Sequence, residues 1–110
     1  MIKYHKLVRD KIPEIIETSG KSSITKILSD EEFKVELKKK AQEELKEYLE
    51  ATTDLESIEE LADLLEIIHS LASTHGTTIE EIEKVRDKKA VERGGFNNKI
   101  FLIGVINGKD

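Results

Sequence analysis

Apolar residues recur every three or four positions through the middle of the chain, and this spacing predicts helices. A capping box formed by Ser29 and Glu32 predicts one helix from about Asp30 to about Ala51. A turn at 52–54 separates it from a second helix, which we expect to run from about Leu55 to His75. The second helix is apolar over so much of its circumference that we expect it to be buried on two sides, as a central helix or in a subunit interface. Its apolar residues are Ile58, Leu61, Leu64, Leu65, Ile67, Ile68, Leu71 and Ala72.

Two shorter helices flank this pair in the sequence. Asp10 is a suitable N-cap, Pro13 suits a first helical turn, and Gly20 predicts the end of a short first helix. A fourth helix is expected from about Ile79 to about Glu92, with two glycines at 94–95 that stop it. The pattern therefore predicts four helices.

The two terminal segments show no helical periodicity. Residues 1–9 have mixed character, and residues 100–106 are apolar and β-branched. We expect residues 1–9 to be extended, with a short strand as one alternative, and residues 100–106 to form a strand that pairs with residues 2–8 or a tail docked on the core. The predicted fold is mainly α, an antiparallel four-helix bundle-like domain over residues 1–110, with short terminal strands as an additional feature.

Composition narrows the class of protein. A chain of 110 residues has room for one domain with a modest core. It has no cysteine, no apolar run of membrane-spanning length and no secretory signal, so we expect a cytoplasmic protein without a membrane partner. The net charge of −5 argues against a nucleic-acid partner. The hydrophobic content of 37% is low, and small cores often gain stability by sharing a helix face with a second subunit.

Four acidic residues lie where an antiparallel hairpin would bring them together. The short turn sets Glu47 level with Glu60, and Glu44 level with Asp63. Packed helix axes are about 8–10 Å apart, a gap that two carboxylate side chains nearly span. Four converging carboxylates repel one another unless a cation lies among them, and oxygen ligands suit Mg²⁺ or Mn²⁺. The pattern predicts a metal site.

An acidic helix face has a simpler interpretation, since 37% of the residues are charged and most such faces are only solvated. The position of Glu44 favours the metal site, because on a helical wheel it falls inside an apolar stripe. That stripe consists of Phe33, Leu37, Ala41, Leu45 and Tyr48.

A short N-terminal stretch is rich in basic residues, namely Lys6, Arg9 and Lys11. One interpretation is that these side chains are solvated surface residues. The other is that they contact the phosphate oxygens of a substrate.

Three stretches together resemble one family. The segment 4–13, with the sequence YHKLVRDKIP, resembles the N-terminal signature of small phosphoribosyl-ATP pyrophosphohydrolase-like, MazG-related proteins. The acidic motifs match the EExxE and ExxD motifs of that superfamily, and 86–96 looks like the ending of the same group. The resemblance implies an all-α nucleoside triphosphate pyrophosphohydrolase fold. It also implies a Mg²⁺-dependent house-cleaning enzyme that hydrolyses a nucleotide to a monophosphate and pyrophosphate.

The resemblance also implies roles for individual residues. The metal ligands would be Glu44, Glu47, Glu60 and Asp63. Glu43 matches the first acid of the motif and would be a catalytic residue on that ground. The N-terminal signature would assign Arg9 and Lys11 to substrate binding, and the ending would assign Lys89 and Arg93.

Two further assignments follow from position in the sequence. Glu47, as a carboxylate of the cluster, is the expected acceptor of the water's proton. Lys40 is an expected substrate contact, because it lies one helical turn before Glu44.

Other functions stay open. One is a phosphoribosyl-ATP pyrophosphohydrolase of histidine biosynthesis, which performs the same chemistry on one metabolite. Another is a non-catalytic helical dimerisation module, although an intact set of four acids argues against it. For the enzyme we expect a homodimer or a dimer of dimers, because the second long helix is apolar beyond what three short neighbours can cover.

Overall fold

The computed structural model describes residues 1–108, and within them the chain forms helices and no strands. The helices are α1 (Ile12–Thr18), α2 (Asp30–Glu50), α3 (Asp54–Thr74) and α4 (Ile79–Arg93). The predicted mainly α, helical bundle-like class is confirmed. The chain divides into two compact units, Met1–Ile79 and Glu80–Asp110, and the single domain over residues 1–110 stays a prediction. In the described part of the chain, no helix is both long enough and apolar enough to cross a membrane.

The start of α2 is fixed by the predicted capping box. The Ser29 Oγ accepts a hydrogen bond from the Glu32 backbone N–H at 3.2 Å. The Glu32 carboxylate in turn accepts one from the Ser29 N–H at 3.1 Å. These two bonds satisfy two backbone donors that would otherwise lack partners at the helix N-terminus. The helix therefore begins where the sequence predicted.

The connection between α2 and α3 spans only residues 51–53, so the chain must reverse its direction there. The Thr53 hydroxyl caps α3 by accepting from the Glu56 N–H at 3.1 Å. The Glu56 carboxylate reaches back to accept from the Thr52 N–H at 3.3 Å. The two long helices pack against each other as an αα-hairpin, within which Leu37, Ile67 and Ala72 are the buried apolar residues of the described chain.

The first helix begins one residue later than the sequence predicted. Its N-cap is Lys11, which makes no capping hydrogen bond through its side chain, and the expectation of an Asp10 cap is wrong. The Ile12 N–H donates to the Arg9 carbonyl at 3.0 Å, which closes a turn and holds Asp10 ahead of the helix. Gly20 follows the helix with a φ of 91°, a conformation that glycine adopts without steric strain.

The expectation of short terminal strands is wrong for the described residues. Neither residues 1–9 nor residues 99–107 contain a strand. A strand needs a neighbour to satisfy its backbone donors and acceptors, and a β-branched composition does not supply one. Both segments are non-helical, and the apolar sequence of residues 100–106 reflects composition and not sheet pairing.

An apolar face on the α2–α3 hairpin stays exposed in the single chain. We call it the hairpin face, and its residues are Leu45, Leu49, Leu55, Ile58, Leu61, Leu65 and Ile68, whose exposed fractions range from 36% to 72%. The interpretation of α3 as buried on two sides is therefore not met within the first unit, where its packed side lies on α2. A subunit interface on the second side stays a prediction.

The capping box yields a stability prediction. Replacing Ser29 by alanine should lower the free energy of unfolding by about 1 kcal/mol. The reason is that the Glu32 backbone N–H loses its acceptor, the Ser29 Oγ, and the capping box is broken. Chemical denaturation with unchanged m-value measures the effect. The variant Ser22→Ala, at an exposed position outside the helices, is the matched control and should stay within about 0.5 kcal/mol of the parent. Equal stability of the two variants would contradict the role of the cap.

Candidate metal centre

Three of the predicted ligands meet across the hairpin. Glu44 and Glu47 lie three residues apart on the same side of α2, and Glu60 lies on the facing side of α3. Each offers one carboxylate oxygen, and these three oxygens all lie within 4.8 Å of one another. We call this group the acidic triad. Its geometry follows from the short turn, which places Glu60 at the level of Glu47.

Two oxygens of the acidic triad are buried without a hydrogen-bond partner. They are the Oε2 atoms of Glu44 and Glu60. Most buried polar atoms in proteins are hydrogen-bonded, and leaving one unpaired costs free energy. Both side chains are half-buried as a whole, and these two oxygens are the atoms without solvent exposure. Such an arrangement suits a bound cation, which would supply the missing partner.

Burial and charge raise the pKa values of Glu44 and Glu60. Burial, followed by the nearby carboxyl groups of Glu60 and Glu47 and the charge on Asp63, raises the pKa of Glu44 from 4.5 to about 7. Burial is also the largest cause that raises the pKa of Glu60; the neighbouring Glu44 carboxyl lowers it, and Glu47 and the charge on Asp63 raise it. The site therefore holds carboxyl groups whose ionised forms are mutually unfavourable near neutral pH.

Asp63, the fourth predicted ligand, lies outside the acidic triad. Its carboxylate accepts a hydrogen bond from the Arg9 guanidinium at 2.8 Å. Both side chains are partly exposed, 56% for Arg9 and 42% for Asp63. Asp63 is nevertheless close enough for its charge to raise the pKa of Glu44 and of Glu60. The structure thus connects one predicted phosphate-binding residue to one predicted metal ligand.

The donor set fits a hard divalent cation. Carboxylate oxygens are the ligands that Mg²⁺ and Mn²⁺ prefer, and Mg²⁺ usually keeps several water molecules besides its protein ligands. The three carboxylates of the acidic triad can supply part of such a coordination shell and leave positions for water. The buried unpartnered oxygens of Glu44 and Glu60 are the observation that supports the fit.

A second group of predicted residues lies in a different place. Glu43, the predicted catalytic acid, and Lys40, a predicted substrate contact, both line a cleft of about 130 Å³. We call it the basic cleft, and its lining residues are His5, Lys6, Leu7, Glu36, Lys39, Lys40 and Glu43. Glu43 is not part of the acidic triad.

The sequence interpretation did not identify Lys39 or His5 as site residues. A signal was present, since Glu36, Lys40 and Glu43 follow one another at spacings of four and three residues along one face of α2. The approach of residues 5–7 to that face had no local signal. Only long-range packing brings them there.

The remaining predicted substrate contacts lie outside both groups. Lys11 is the N-cap residue of α1, and its side chain is exposed. Lys89 and Arg93 are exposed residues of α4. Their assignment to the substrate stays a prediction.

Comparisons with known proteins give a relative without an assigned function. No family model matches the chain, and no solved structure matches it. An uncharacterized protein of Mycolicibacterium smegmatis is 45% identical over 47 residues. These residues make up 43% of this chain and 48% of that protein, so the match spans about half the length of the relative. The similarity says nothing about activity.

The raised pKa of Glu44 yields a prediction on pH. Between pH 4.5 and about 7, folded Glu44 keeps a proton that the unfolded chain has largely released. The folded state therefore binds more protons than the unfolded state in this window, and the free energy of unfolding contributed by Glu44 should fall as the pH rises. Thermal unfolding in EDTA across this range measures the effect.

Two variants test the origin of that pH dependence. Glu44→Gln cannot ionise and should flatten the decline between pH 4.5 and 7. Glu50→Gln, at an exposed position on the same helix, should retain it. If both variants behave like the parent, the titration of Glu44 does not control stability.

Proposed function

We propose that this protein is a Mg²⁺-dependent nucleoside triphosphate pyrophosphohydrolase of the house-cleaning type, acting in the cytoplasm. The proposal rests on one observation above others, the convergence of three carboxylates from two helices with two buried oxygens that lack partners. Hydrolysis of a phosphoric anhydride depends mainly on positioning and charge stabilisation, so it needs no covalent nucleophile. A rigid acidic site on a helical hairpin suits that requirement.

The residues of the acidic triad have distinct roles in this proposal. Glu44 and Glu60 would hold Mg²⁺ through the oxygens that are buried and unpartnered. The ion supplies charge neutralisation for the phosphate oxygens and makes water a stronger acid. Glu47 is the most exposed member of the triad, which favours it as the acceptor of the proton that the attacking water releases.

The proposed reaction cleaves one phosphoric anhydride bond. The water oxygen attacks the α-phosphorus, the bond to the bridging oxygen breaks, and pyrophosphate leaves with the bonding electrons. The water's proton passes to the Glu47 carboxylate and then to solvent. The choice of the α-phosphorus follows from the family resemblance of the two acidic motifs.

Arg9 has a dual role in the proposal. Its guanidinium is placed beside the triad by its ion pair with Asp63 at 2.8 Å. An exposed ion pair of this kind contributes only about 0–1 kcal/mol, so a phosphate group can compete for the guanidinium at little cost. Arginine suits such a contact because its planar group can donate two parallel hydrogen bonds to phosphate. Release of Arg9 would also free the Asp63 carboxylate as a fourth ligand.

A second copy of the chain would cover the hairpin face. Seven apolar side chains of α2 and α3 that are at least a third exposed form a larger apolar surface than isolated exposed residues normally do. The first unit also has few buried apolar residues, and pairing two hairpins by a twofold axis would enlarge its core symmetrically. We propose a homodimer, or a dimer of dimers, on this basis.

Enzyme activity is tested by incubating the protein with Mg²⁺ and a panel of canonical and damaged nucleotides, including phosphoribosyl-ATP. We expect release of pyrophosphate, not of orthophosphate. Glu60→Gln should lower the rate by more than about 100-fold, because the site loses a metal ligand. Glu59→Gln, the neighbouring exposed acid on α3, is the matched control and should retain activity. Release of orthophosphate alone would show that the bond assignment is wrong.

Metal binding is tested separately from turnover. Mg²⁺ should raise the thermal midpoint of the parent protein and of Glu59→Gln, but much less that of Glu60→Gln, if the ion binds only the folded state. Binding of Mg²⁺ without cleavage of any nucleotide would favour the non-catalytic helical module. An unchanged midpoint together with no cleavage would contradict the metal site itself.

The oligomeric state is tested by light scattering. We expect a mass of at least twice the 12.5 kDa of one chain at micromolar concentration. Ile58→Lys should shift the protein toward the monomer, because it places a charge in the centre of an apolar contact. Glu66→Lys, an exposed position of α3 outside the hairpin face, should not. A monomeric parent protein would contradict the dimer.

A further inference from the structure

The basic cleft lies between residues 5–7 of the N-terminal segment and one face of α2. Lys6, Lys39 and Lys40 contribute three positive charges to its lining, and Glu36 and Glu43 contribute two negative ones. The Lys39 ammonium lies 3.2 Å from the Glu36 carboxylate, so these two charges offset each other. The other charged lining residues are Lys6, Lys40 and Glu43, so the lining carries more positive than negative groups in a protein whose overall charge is −5.

Neither of these two lysines is engaged by a carboxylate within the described chain. The ion pairs of that part of the molecule involve other lysines and arginines. Lys6 contacts only the Tyr4 ring, with its Nζ atom 5.6 Å from the ring centroid. Lys40 is half-buried, which limits the solvent that competes with a ligand for its ammonium group. Both ammonium groups can therefore donate to an anion.

The size of the cleft selects a small ligand. Sites for nucleosides and drug-sized molecules enclose about 300–1,000 Å³. The cleft is open to solvent and has a volume of about 130 Å³, which is several times the space that one water molecule occupies. It can hold an anion with the dimensions of a phosphate group.

We propose that the basic cleft is a phosphate-binding site. Lys6 and Lys40 donate to the phosphate oxygens, and Lys39 holds Glu36 away from them. Glu43 opposes binding through its charge and limits the affinity. Lys40 precedes Glu44 by one helical turn, about 6 Å along α2, so the bound group lies close to the acidic triad. The cleft does not require the hydrolytic activity, and it adds to the proposed function an anion site that works without metal.

Binding of inorganic phosphate in EDTA tests the proposal, measured by calorimetry or by chemical-shift changes at the cleft residues. We expect one saturable site per chain. Lys6→Ala and Lys40→Ala should each weaken binding about tenfold or more, since a hydrogen bond to a charged group contributes about 1.5–3 kcal/mol. Glu43→Gln should strengthen it, because the opposing charge is lost. Unchanged circular dichroism shows that each variant is folded.

Lys38→Ala is the matched control, since it removes the same charge from an exposed position of α2 outside the cleft. Its affinity for phosphate should equal that of the parent. If Lys38→Ala weakens binding as much as Lys40→Ala, net charge and not the cleft attracts the anion, and the proposal is wrong. Absence of saturable binding by the parent up to tens of millimolar phosphate would also overturn it.

Two further arms distinguish the source of the phosphate and separate this proposal from the enzyme. Pyrophosphate and a nucleoside triphosphate are titrated in EDTA alongside orthophosphate. If Lys40→Ala binds the nucleotide more weakly than the parent does, the cleft binds a nucleotide phosphate. If Lys40→Ala weakens only the binding of orthophosphate, the cleft binds the free ion. Glu60→Gln should bind phosphate like the parent even though it is expected to lose hydrolysis. Retained phosphate binding by a parent protein that hydrolyses no nucleotide would contradict only the enzyme. Loss of phosphate binding by Glu60→Gln would contradict a separate cleft.

Discussion

The packing of α2 against α3 holds three carboxylates closer together than their charges favour. The three-residue connection fixes the position of α3 along the length of α2. Buried apolar side chains, among them Leu37 and Ile67, keep the two helices packed together. Glu44 and Glu60 cannot move apart without breaking those contacts. Burial and electrostatic repulsion within the site raise the pKa values of both carboxyl groups, and one oxygen of each has no hydrogen-bond partner. A bound cation would reduce this repulsion. The local chemistry of the site depends on this one packing arrangement.

The N-terminal segment connects the two helices on the side of the site. Arg9 binds Asp63 of α3, while residues 5–7 approach the face of α2 that carries Lys40. The segment thereby forms one wall of the basic cleft and places a guanidinium beside the acidic triad. Its exposed ion pair is weak enough to exchange partners. A short non-helical segment thus brings Arg9 to Asp63 and Lys6 to the basic cleft.

The same hairpin presents the acidic triad and the hairpin face. A helix in a small bundle has few neighbours, so the side chains of α3 that do not contact α2 stay in solvent unless another molecule covers them. Metal affinity and assembly would therefore depend on the same two helices, and a change in their packing would affect both.

The sequence by itself determined the helices, the capping box of α2 and the level of the two acidic motifs. Ser29, Thr53 and the helical periodicity act over a few residues, and a three-residue turn leaves only one way to align Glu47 with Glu60. Tertiary structure alone decided that Asp63 pairs with Arg9, 54 residues away, that Glu43 and Lys40 line the basic cleft, and that the terminal segments form no strands. These contacts join distant parts of the chain. Their formation depends on loop closure and on the partners available after packing, which local periodicity does not encode.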